Sequence, residues 1–117
     1  MGRSGDPSDD PGGALVTPRQ GDVWWAELEG DTRPVLVVTR SRAIDALRTV
    51  IAAPITRSVR GIPTEIALGP DDGLREECAA SFDNLVPVPK ANLTDWIGSL
   101  GPRRVEICRA LAALADC

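Results

Sequence analysis

Arginines are the side chains of this sequence best suited to bind an anion, and they are concentrated in one stretch. Between residues 33 and 60 the chain carries six arginines and one acidic residue, Asp45. The six are Arg33, Arg40, Arg42, Arg48, Arg57 and Arg60. Because the formal net charge of the whole chain is −4, this pattern favours a local anion-binding site over a general coat for nucleic acid. A solvated charged face fits the same pattern.

The usual acid–base and metal-binding side chains are scarce. Histidine and tyrosine are absent and Lys90 is the only lysine, so catalysis would have to use Arg, Ser, Thr, Asp and Glu. The cysteines, Cys78, Cys108 and Cys117, are widely spaced and form no CxxC pair. They predict reduced thiols rather than a zinc site or a disulfide framework. We expect neither a metal nor an organic cofactor.

Length and composition indicate one compact domain. The 117 residues leave little room for more. Residues 1–17 are rich in Gly, Pro, Ser and Asp, which predicts a disordered tail, and the domain is assigned to residues 18–117. The sequence has no apolar run long enough to span a membrane and no apolar stretch typical of a signal peptide, so a cytoplasmic protein is predicted.

Short apolar runs separated by turn residues predict a mainly β, α+β fold. The predicted strands cover 22–28, 33–39, 49–56 and 64–68, with one or two over 78–88 and another over 94–100. The second run is β-branched enough to be buried on both faces. Pro54, near the end of the third, predicts an edge position or a bulge. Ser41 is expected to cap a short helical turn that carries Ile44 and Leu47.

A C-terminal helix is the clearest predicted element. It begins at Gly101-Pro102, with proline at the first helical position. Apolar residues follow at helical spacing: Val105, Cys108, Leu111, Ala112 and Ala115. Ile107 and Leu114 widen this stripe, so we expect a well-buried helix. Several short strands sealed by one helix predict a small, strongly bent β-barrel with a short helix and a C-terminal helix.

Three segments in order resemble the MazF/PemK toxin family. The sequence GDVWWA at 21–26, followed by RPVLVV at 33–38, is similar to the opening signature of these toxins. The sequence APITRSVRGIPTE at 53–65 resembles their third strand and the loop that leaves it. A weaker resemblance lies in SFDNL at 81–85. With the C-terminal helix, the resemblance covers roughly residues 20 to 116.

The resemblance implies an SH3-like barrel that forms a homodimer, cleaves single-stranded RNA (messenger, ribosomal or transfer) without a metal and is inhibited by a cognate antitoxin. Arg33 and Thr56 match the catalytic arginine and threonine. Further positions correspond to RNA contacts: Arg57, Ser58, Arg60, Asp83 and Asn84. The link from Leu28 to Arg33 is shorter than the family's usual first loop, so the choice of substrate does not carry over.

These residue types suit RNA cleavage by the 2′-hydroxyl next to the scissile phosphate. An arginine fork can bind two phosphoryl oxygens as negative charge develops on them, and Thr56 can add a hydroxyl donor. The expected products carry a 2′,3′-cyclic phosphate and a 5′-hydroxyl. A guanidinium is a poor base, so the group that removes the 2′-proton is left open between Asp83 and Glu65.

Each assignment has a simpler alternative. Arg33 could pair with Glu27 or Asp31 across a hairpin, and Thr56 could be a structural strand residue. Trp24 and Trp25 point to opposite faces of a strand, so one belongs to the core and the other can stack on a base; Trp24 is assigned to RNA. Two other functions are also considered: a toxin of the same fold that poisons DNA gyrase, and a non-catalytic interaction domain.

Overall fold

The protein is described by a computed structural model that covers residues 17–115. The predicted disordered tail therefore lies outside the described residues except for Thr17, and Cys117 lies outside them as well. Of the other two cysteines, Cys78 is buried and Cys108 is exposed, and both are free thiols. No helix within residues 17–115 is long and apolar enough to cross a membrane.

Seven strands and two α-helices form the domain. The strands are β1 (Asp22–Leu28), β2 (Asp31–Val37), β3 (Thr49–Thr56), β4 (Glu65–Leu68), β5 (Cys78–Ser81), β6 (Val86–Pro89) and β7 (Leu93–Ser99). The helices are α1 (Ser41–Ile44) and α2 (Val105–Ala115). Single turns of 3-10 helix lie at Pro70–Asp72, Phe82–Asn84, Lys90–Asn92 and Gly101–Arg104. This order confirms the predicted mainly β fold with a short helix and a C-terminal helix.

The strands pair in the order β4-β5-β3-β2-β1-β7, and β6 pairs with the first half of β3. Every pairing is antiparallel. The long strand β3 pairs with β6 as far as Ala52 and with β5 only from Ile55. Pro54 lies between these two partners, where its missing N–H does least harm. Pro54 pairs with Val35 of β2, whereas the pairings of β3 with β6 and β5 leave out Ala53 and Pro54. The edge or bulge predicted at Pro54 is therefore a local change of partner within a central strand.

A two-residue turn joins β1 to β2. Leu28 pairs with Asp31, and both turn residues have positive φ, 51° at Glu29 and 86° at Gly30. This is the backbone pattern of a type I′ hairpin turn, whose twist matches that of the strands. The turn allows β2 to begin at Asp31, two residues earlier than predicted, and no loop separates it from β1.

Apolar residues pack on both faces of the bent sheet. Val35, Leu36 and Val37 are fully buried, which confirms that β2 is covered on both sides. Leu36 contributes to a cluster with Phe82 and Ile107. Its two neighbours contribute to another cluster built around Trp24, Ile44, Val50 and Val88. The sheet therefore has the small half-barrel form that the sequence predicts.

The C-terminal helix covers only one side of this half-barrel. Ile107 and Ala110 are buried and Leu111 is half-buried, whereas Val105 and Leu114 are exposed. The prediction of a well-buried helix is wrong, because the sheet contacts one face of α2 and its remaining apolar residues point away from the core.

Candidate functional site

An open groove of about 840 Å³ lies where the start of β2 meets the end of β3. Its polar and charged lining residues are Arg33, Thr56, Arg57, Arg75 and Glu76, and its larger apolar ones are Trp25, Ile55, Leu74 and Ile97. They come from β1, β2, β3, β7, the loop that begins at Arg57 and the segment that precedes β5. The two side chains predicted to be catalytic thus meet in one solvent-accessible space.

Arg33 is positioned by the β1–β2 hairpin. It pairs with Ala26 across the two strands, and its Nη2 donates to Oδ2 of Asp31 at 3.3 Å. The pairing with Asp31 considered as an alternative role is therefore present. Because this ion pair is exposed, it contributes only about 0–1 kcal/mol, and the other guanidinium donors can bind an anion in the groove.

Thr56 is the last residue of β3, and its backbone pairs with Ala79 of β5. Its Oγ1 accepts a hydrogen bond from the backbone N–H of Ser58 at 3.1 Å. This contact uses the hydroxyl oxygen as an acceptor and fixes the start of the following loop. The hydroxyl proton therefore remains available for donation to a group in the groove.

Arg57 and Glu76 form an ion pair in the groove. Nη1 of Arg57 lies 3.3 Å from Oε2 of Glu76, and the two side chains are 80% and 59% exposed. Arg75 lines the groove beside them. Among the groove-lining residues that the structure describes, three are guanidinium groups and Glu76 is the only carboxylate, so the groove carries a net positive charge suited to a phosphodiester.

The loop after β3 is held by Glu65, which lies outside the groove. Oε1 of Glu65 accepts the backbone N–H groups of Arg60 at 2.9 Å and Gly61 at 3.1 Å. Ser58 and Arg60 are exposed on this loop but do not line the groove. Glu65, one of the two residues considered as a base, is likewise not among the lining residues.

Asp83 and Asn84 lie in the 3-10 turn Phe82–Asn84, next to the loop. Oδ2 of Asp83 accepts the hydroxyl of Thr64 at 2.9 Å, and Nδ2 of Asn84 donates to Oγ of Ser81 at 2.9 Å. Both are exposed, and neither lines the groove. The Thr64–Asp83 hydrogen bond joins this turn to the loop. Of the residues predicted to contact RNA, Arg57 lines the groove, whereas Ser58, Arg60, Asp83 and Asn84 lie outside its lining.

Of the two tryptophans, Trp24 is the one that belongs to the core. Trp24 is 2% exposed, and its Nε1 donates to Oδ2 of Asp22 at 3.4 Å. The prediction that Trp24 contacts RNA is wrong, because its ring is enclosed in the core. Trp25 is 38% exposed and lines the groove. The sequence held the signal, since Ala26 and Leu28 continue the inward face of Trp24 while Glu27 continues the outward face of Trp25.

The sequence prediction missed the segment that forms the far wall of the groove, residues 73–76. Its Arg75 and Glu76 lie in a stretch with turn-like composition, and no local pattern connects them with Arg33 some forty positions earlier. Cys78 also reaches the groove. Burial raises the pKa of its thiol, and the carboxylates of Asp72 and Glu76 raise it further, so this thiol is protonated at neutral pH. Within residues 17–115, no three or more His, Cys, Asp or Glu side chains are grouped so as to hold a metal ion.

Known proteins resemble this chain over most of its length. The family model described as PemK-like, MazF-like toxin of type II toxin-antitoxin system matches residues 19–115. The probable endoribonuclease MazF5 of Mycobacterium tuberculosis is 38% identical over 103 residues, which cover 86% of this chain and 94% of that protein. The probable endoribonuclease MazF2 of the same species is 34% identical over 101 residues, covering 85% and 99% respectively.

Solved structures agree with this assignment. Mycobacterium tuberculosis toxin MazF-mt6 superposes with a TM-score of 0.75 at 32% identity, over 81% of this chain and 96% of that one. A mycobacterial endoribonuclease in complex with its cognate antitoxin gives a TM-score of 0.73 at 30% identity, over 85% and 95% respectively. Because the matching family model includes every element from β1 to α2, this chain belongs to the PemK-like, MazF-like toxins of type II toxin–antitoxin systems.

Proposed function

We propose that this protein is a toxin endoribonuclease that cleaves single-stranded RNA in the groove. The observation that carries the proposal is that Arg33 and Thr56, from different strands, line one open groove. Two relatives matched over nearly their whole length are named probable endoribonucleases, which supports the same activity. We expect it to act in the cytoplasm, because its RNA substrate is found there.

The proposed reaction uses the RNA's own 2′-hydroxyl as the nucleophile. As this oxygen attacks, negative charge builds on the non-bridging phosphoryl oxygens, and the Arg33 fork can bind two of them at once. The Thr56 hydroxyl adds one donor, which is typically worth about 3 kcal/mol of transition-state stabilisation. The arginines of the groove supply the positive charge that balances this negative charge, and we propose that no metal takes part. The products carry a 2′,3′-cyclic phosphate and a 5′-hydroxyl.

Residues around the catalytic pair are proposed to hold the strand. Arg57 lies in the groove beside Thr56 and can bind a neighbouring phosphate. Trp25 takes the stacking role that the sequence assigned to Trp24, since its exposed ring offers a face to a base. The loop and turn beside the groove provide further RNA contacts, which are Ser58, Arg60, Asp83 and Asn84.

A cognate antitoxin is the proposed protein partner. One similar mycobacterial endoribonuclease has been solved with its antitoxin, and an acidic, initially disordered segment would fit a groove lined by three arginines. We also propose a homodimer, because large apolar side chains remain exposed on the single chain, among them Ile51, Trp96 and Val105. Sedimentation of a monomer at micromolar concentration would contradict the dimer.

Purified protein incubated with RNA in EDTA tests the activity. We expect cleavage ends with 2′,3′-cyclic phosphates, and we expect Arg33→Ala and Thr56→Ala each to lower the rate by about 100-fold or more. Arg48→Ala is the matched control, because Arg48 belongs to the same basic stretch, is exposed and does not line the groove. Unchanged rates in both groove variants, with melting curves like the wild type, would contradict the assigned site.

The same assay separates the other two functions. Intact RNA together with DNA gyrase trapped on DNA would favour a gyrase poison. Intact RNA with no growth arrest on expression would favour a non-catalytic interaction domain. Neither is supported by the groove, because the Arg33 and Thr56 side chains that meet there are suited to phosphodiester chemistry.

A further inference from the structure

RNA cleavage by the 2′-hydroxyl needs a group that accepts the 2′-proton. The residues that line the groove limit which side chain can be this base. Its ionisable lining residues are Arg33, Arg57, Arg75, Cys78 and Glu76. Arginine guanidiniums do not give up their proton in proteins. The Cys78 thiol is also protonated at neutral pH, because burial raises its pKa. Glu76 is the one carboxylate among the described residues that line the groove.

The two carboxylates suggested by the sequence each bind a group outside the groove through one oxygen. Oε1 of Glu65 accepts two backbone N–H groups of the loop after β3. Oδ2 of Asp83 accepts the hydroxyl of Thr64. Neither residue lines the groove, so neither is placed to reach a 2′-hydroxyl whose phosphate lies between Arg33 and Thr56.

We propose that the carboxylate of Glu76 accepts the 2′-hydroxyl proton during RNA cleavage. This inference rests on the proposed function, since it assigns a residue to that same reaction. Arg57 holds Glu76 through Oε2 at 3.3 Å, whereas Oε1 has no hydrogen-bond partner within residues 17–115. One oxygen of this groove-lining carboxylate is therefore held by Arg57, and the other is left to accept a proton.

The proton and the bonds balance without another reactant. The 2′-oxygen gives its proton to Glu76 and forms a bond to phosphorus, while the bond between phosphorus and the 5′-oxygen breaks. The departing 5′-oxygen takes a proton from water, which the open groove admits. Glu76 then returns its proton to solvent, and the RNA ends as a 2′,3′-cyclic phosphate and a 5′-hydroxyl.

Glu76→Gln is the variant that tests this step, because glutamine keeps an oxygen for Arg57 but is not a base. Single-turnover cleavage of a short single-stranded RNA is measured from pH 6 to pH 9. We expect the wild-type rate to be nearly flat across this range. The variant should be slower by about 100-fold or more at pH 7, and its rate should rise about tenfold per pH unit as hydroxide replaces the missing base.

The charged and titratable groups that face Glu76 are Arg33, Arg57, Arg75 and Cys78. The Cys78 thiol can lose its proton at high pH, so the slope of log rate against pH is measured again in a variant that combines Glu76→Gln with Cys78→Ala. An unchanged slope excludes the thiol as its source.

Two further variants separate proton transfer from positioning. Glu77→Gln changes the adjacent exposed glutamate, which does not line the groove, and should cleave like the wild type. Arg57→Ala should lower the rate by the same factor at every pH. If Glu76→Gln also loses a constant factor at every pH, or keeps full activity, Glu76 is not the base, and cyclic-phosphate products from the wild type would leave the proposed function standing. A wild-type protein that yields no such products would overturn both.

Discussion

Two sites of this molecule each pair an arginine with carboxylates. They differ in how many N–H groups of the guanidinium are hydrogen-bonded. In the groove, Arg57 makes one contact, at 3.3 Å, with Glu76. In a second site, which we name the clamp, Arg103 binds both oxygens of Asp72 at 3.1 and 3.2 Å and both oxygens of Glu106 at 2.9 and 3.3 Å. It also donates to the carbonyl of Ala67.

The side chains of the two sites also differ in solvent exposure. The side chains of Arg103 and Asp72 are 37% and 7% exposed, whereas both partners in the groove are mostly solvent-accessible. The hydrogen bond that Arg103 donates to Glu106 raises the pKa of Arg103, and the guanidinium is saturated with protein acceptors. It has no donors left for a phosphate. The comparison teaches that an arginine points to function when its donors are open, and to structure when they are filled.

Removing one carboxylate from each site should give the largest difference in stability between the two sites. Asp72→Ala is expected to lower the free energy of unfolding by about 3 kcal/mol, because it leaves the partly buried Arg103 guanidinium with Glu106 as its one charged partner in the clamp. It also leaves the backbone N–H of Gly69 without the Asp72 oxygen that accepts it at 3.0 Å. Glu76→Ala should change it by less than about 0.5 kcal/mol, since its ion pair is exposed. Urea unfolding measures both.

Asp71→Ala is the control for Asp72→Ala, because it alters the neighbouring exposed residue of the same 3-10 turn. It should leave stability within about 0.5 kcal/mol of the wild type. Equal losses in Asp72→Ala and Glu76→Ala would show that exposure does not separate the two sites.

A smaller loss of stability is expected at Gly98, which packs against Asp72 of the clamp. A Cβ on Gly98 of β7 would lie 2.4 Å from the carbonyl oxygen of Asp72, and Asp72 precedes the segment that forms the far wall of the groove. Gly98→Ala should cost about 2 kcal/mol of stability, because backbone must move to admit the methyl group. Since that movement displaces residues 73–76, the RNA cleavage rate should also fall.

Gly30→Ala provides the matched comparison for Gly98→Ala. Gly30 has a φ of 86°, but a Cβ there meets no atom within 4 Å. Strain alone should cost about 1 kcal/mol, and cleavage should be unchanged. A fall in cleavage that is the same in both variants would show that tight packing at Gly98 does not position the groove.

Local patterns were enough to predict the bounds of two strands that line the groove. β1 and β3 have the predicted bounds, 22–28 and 49–56, because alternation and turn residues define them within a short stretch of sequence. The start of β2 was misplaced by two residues, since the tight turn at Glu29 and Gly30 lets pairing resume at once. Arg33 and Thr56 could be named because a family resemblance carried them.

Features that depend on distant parts of the chain could not be predicted in this way. The partner of Arg57 is Glu76, nineteen positions later, and only the folded sheet brings them together. The exposed side of α2 was missed for the same reason, because helical periodicity does not reveal how much of a helix the sheet will cover. Sequence composition likewise gave no means of telling the clamp arginine from the groove arginines.

The smallest predicted effect concerns pH and Glu106 in the clamp. Its hydrogen bond from Arg103 lowers the pKa of Glu106 despite partial burial, and the positive charges of Arg103 and Arg109 act in the same direction. A carboxyl whose pKa is lower in the folded state stabilises the fold above its unfolded pKa, and this contribution is lost as the pH falls through the folded value.

Glu106→Gln should therefore lower the free energy of unfolding by about 0.5 kcal/mol at pH 7, a modest value because both side chains remain partly solvent-accessible. The difference between variant and wild type should shrink as the solution is acidified from about pH 5 to about pH 3, where the wild-type carboxyl becomes protonated as well. Urea unfolding at a series of pH values measures this. A difference that stays constant down to pH 3 would mean that the glutamate stabilises α2 by packing and not by its charge, and the clamp would then depend on Asp72 alone.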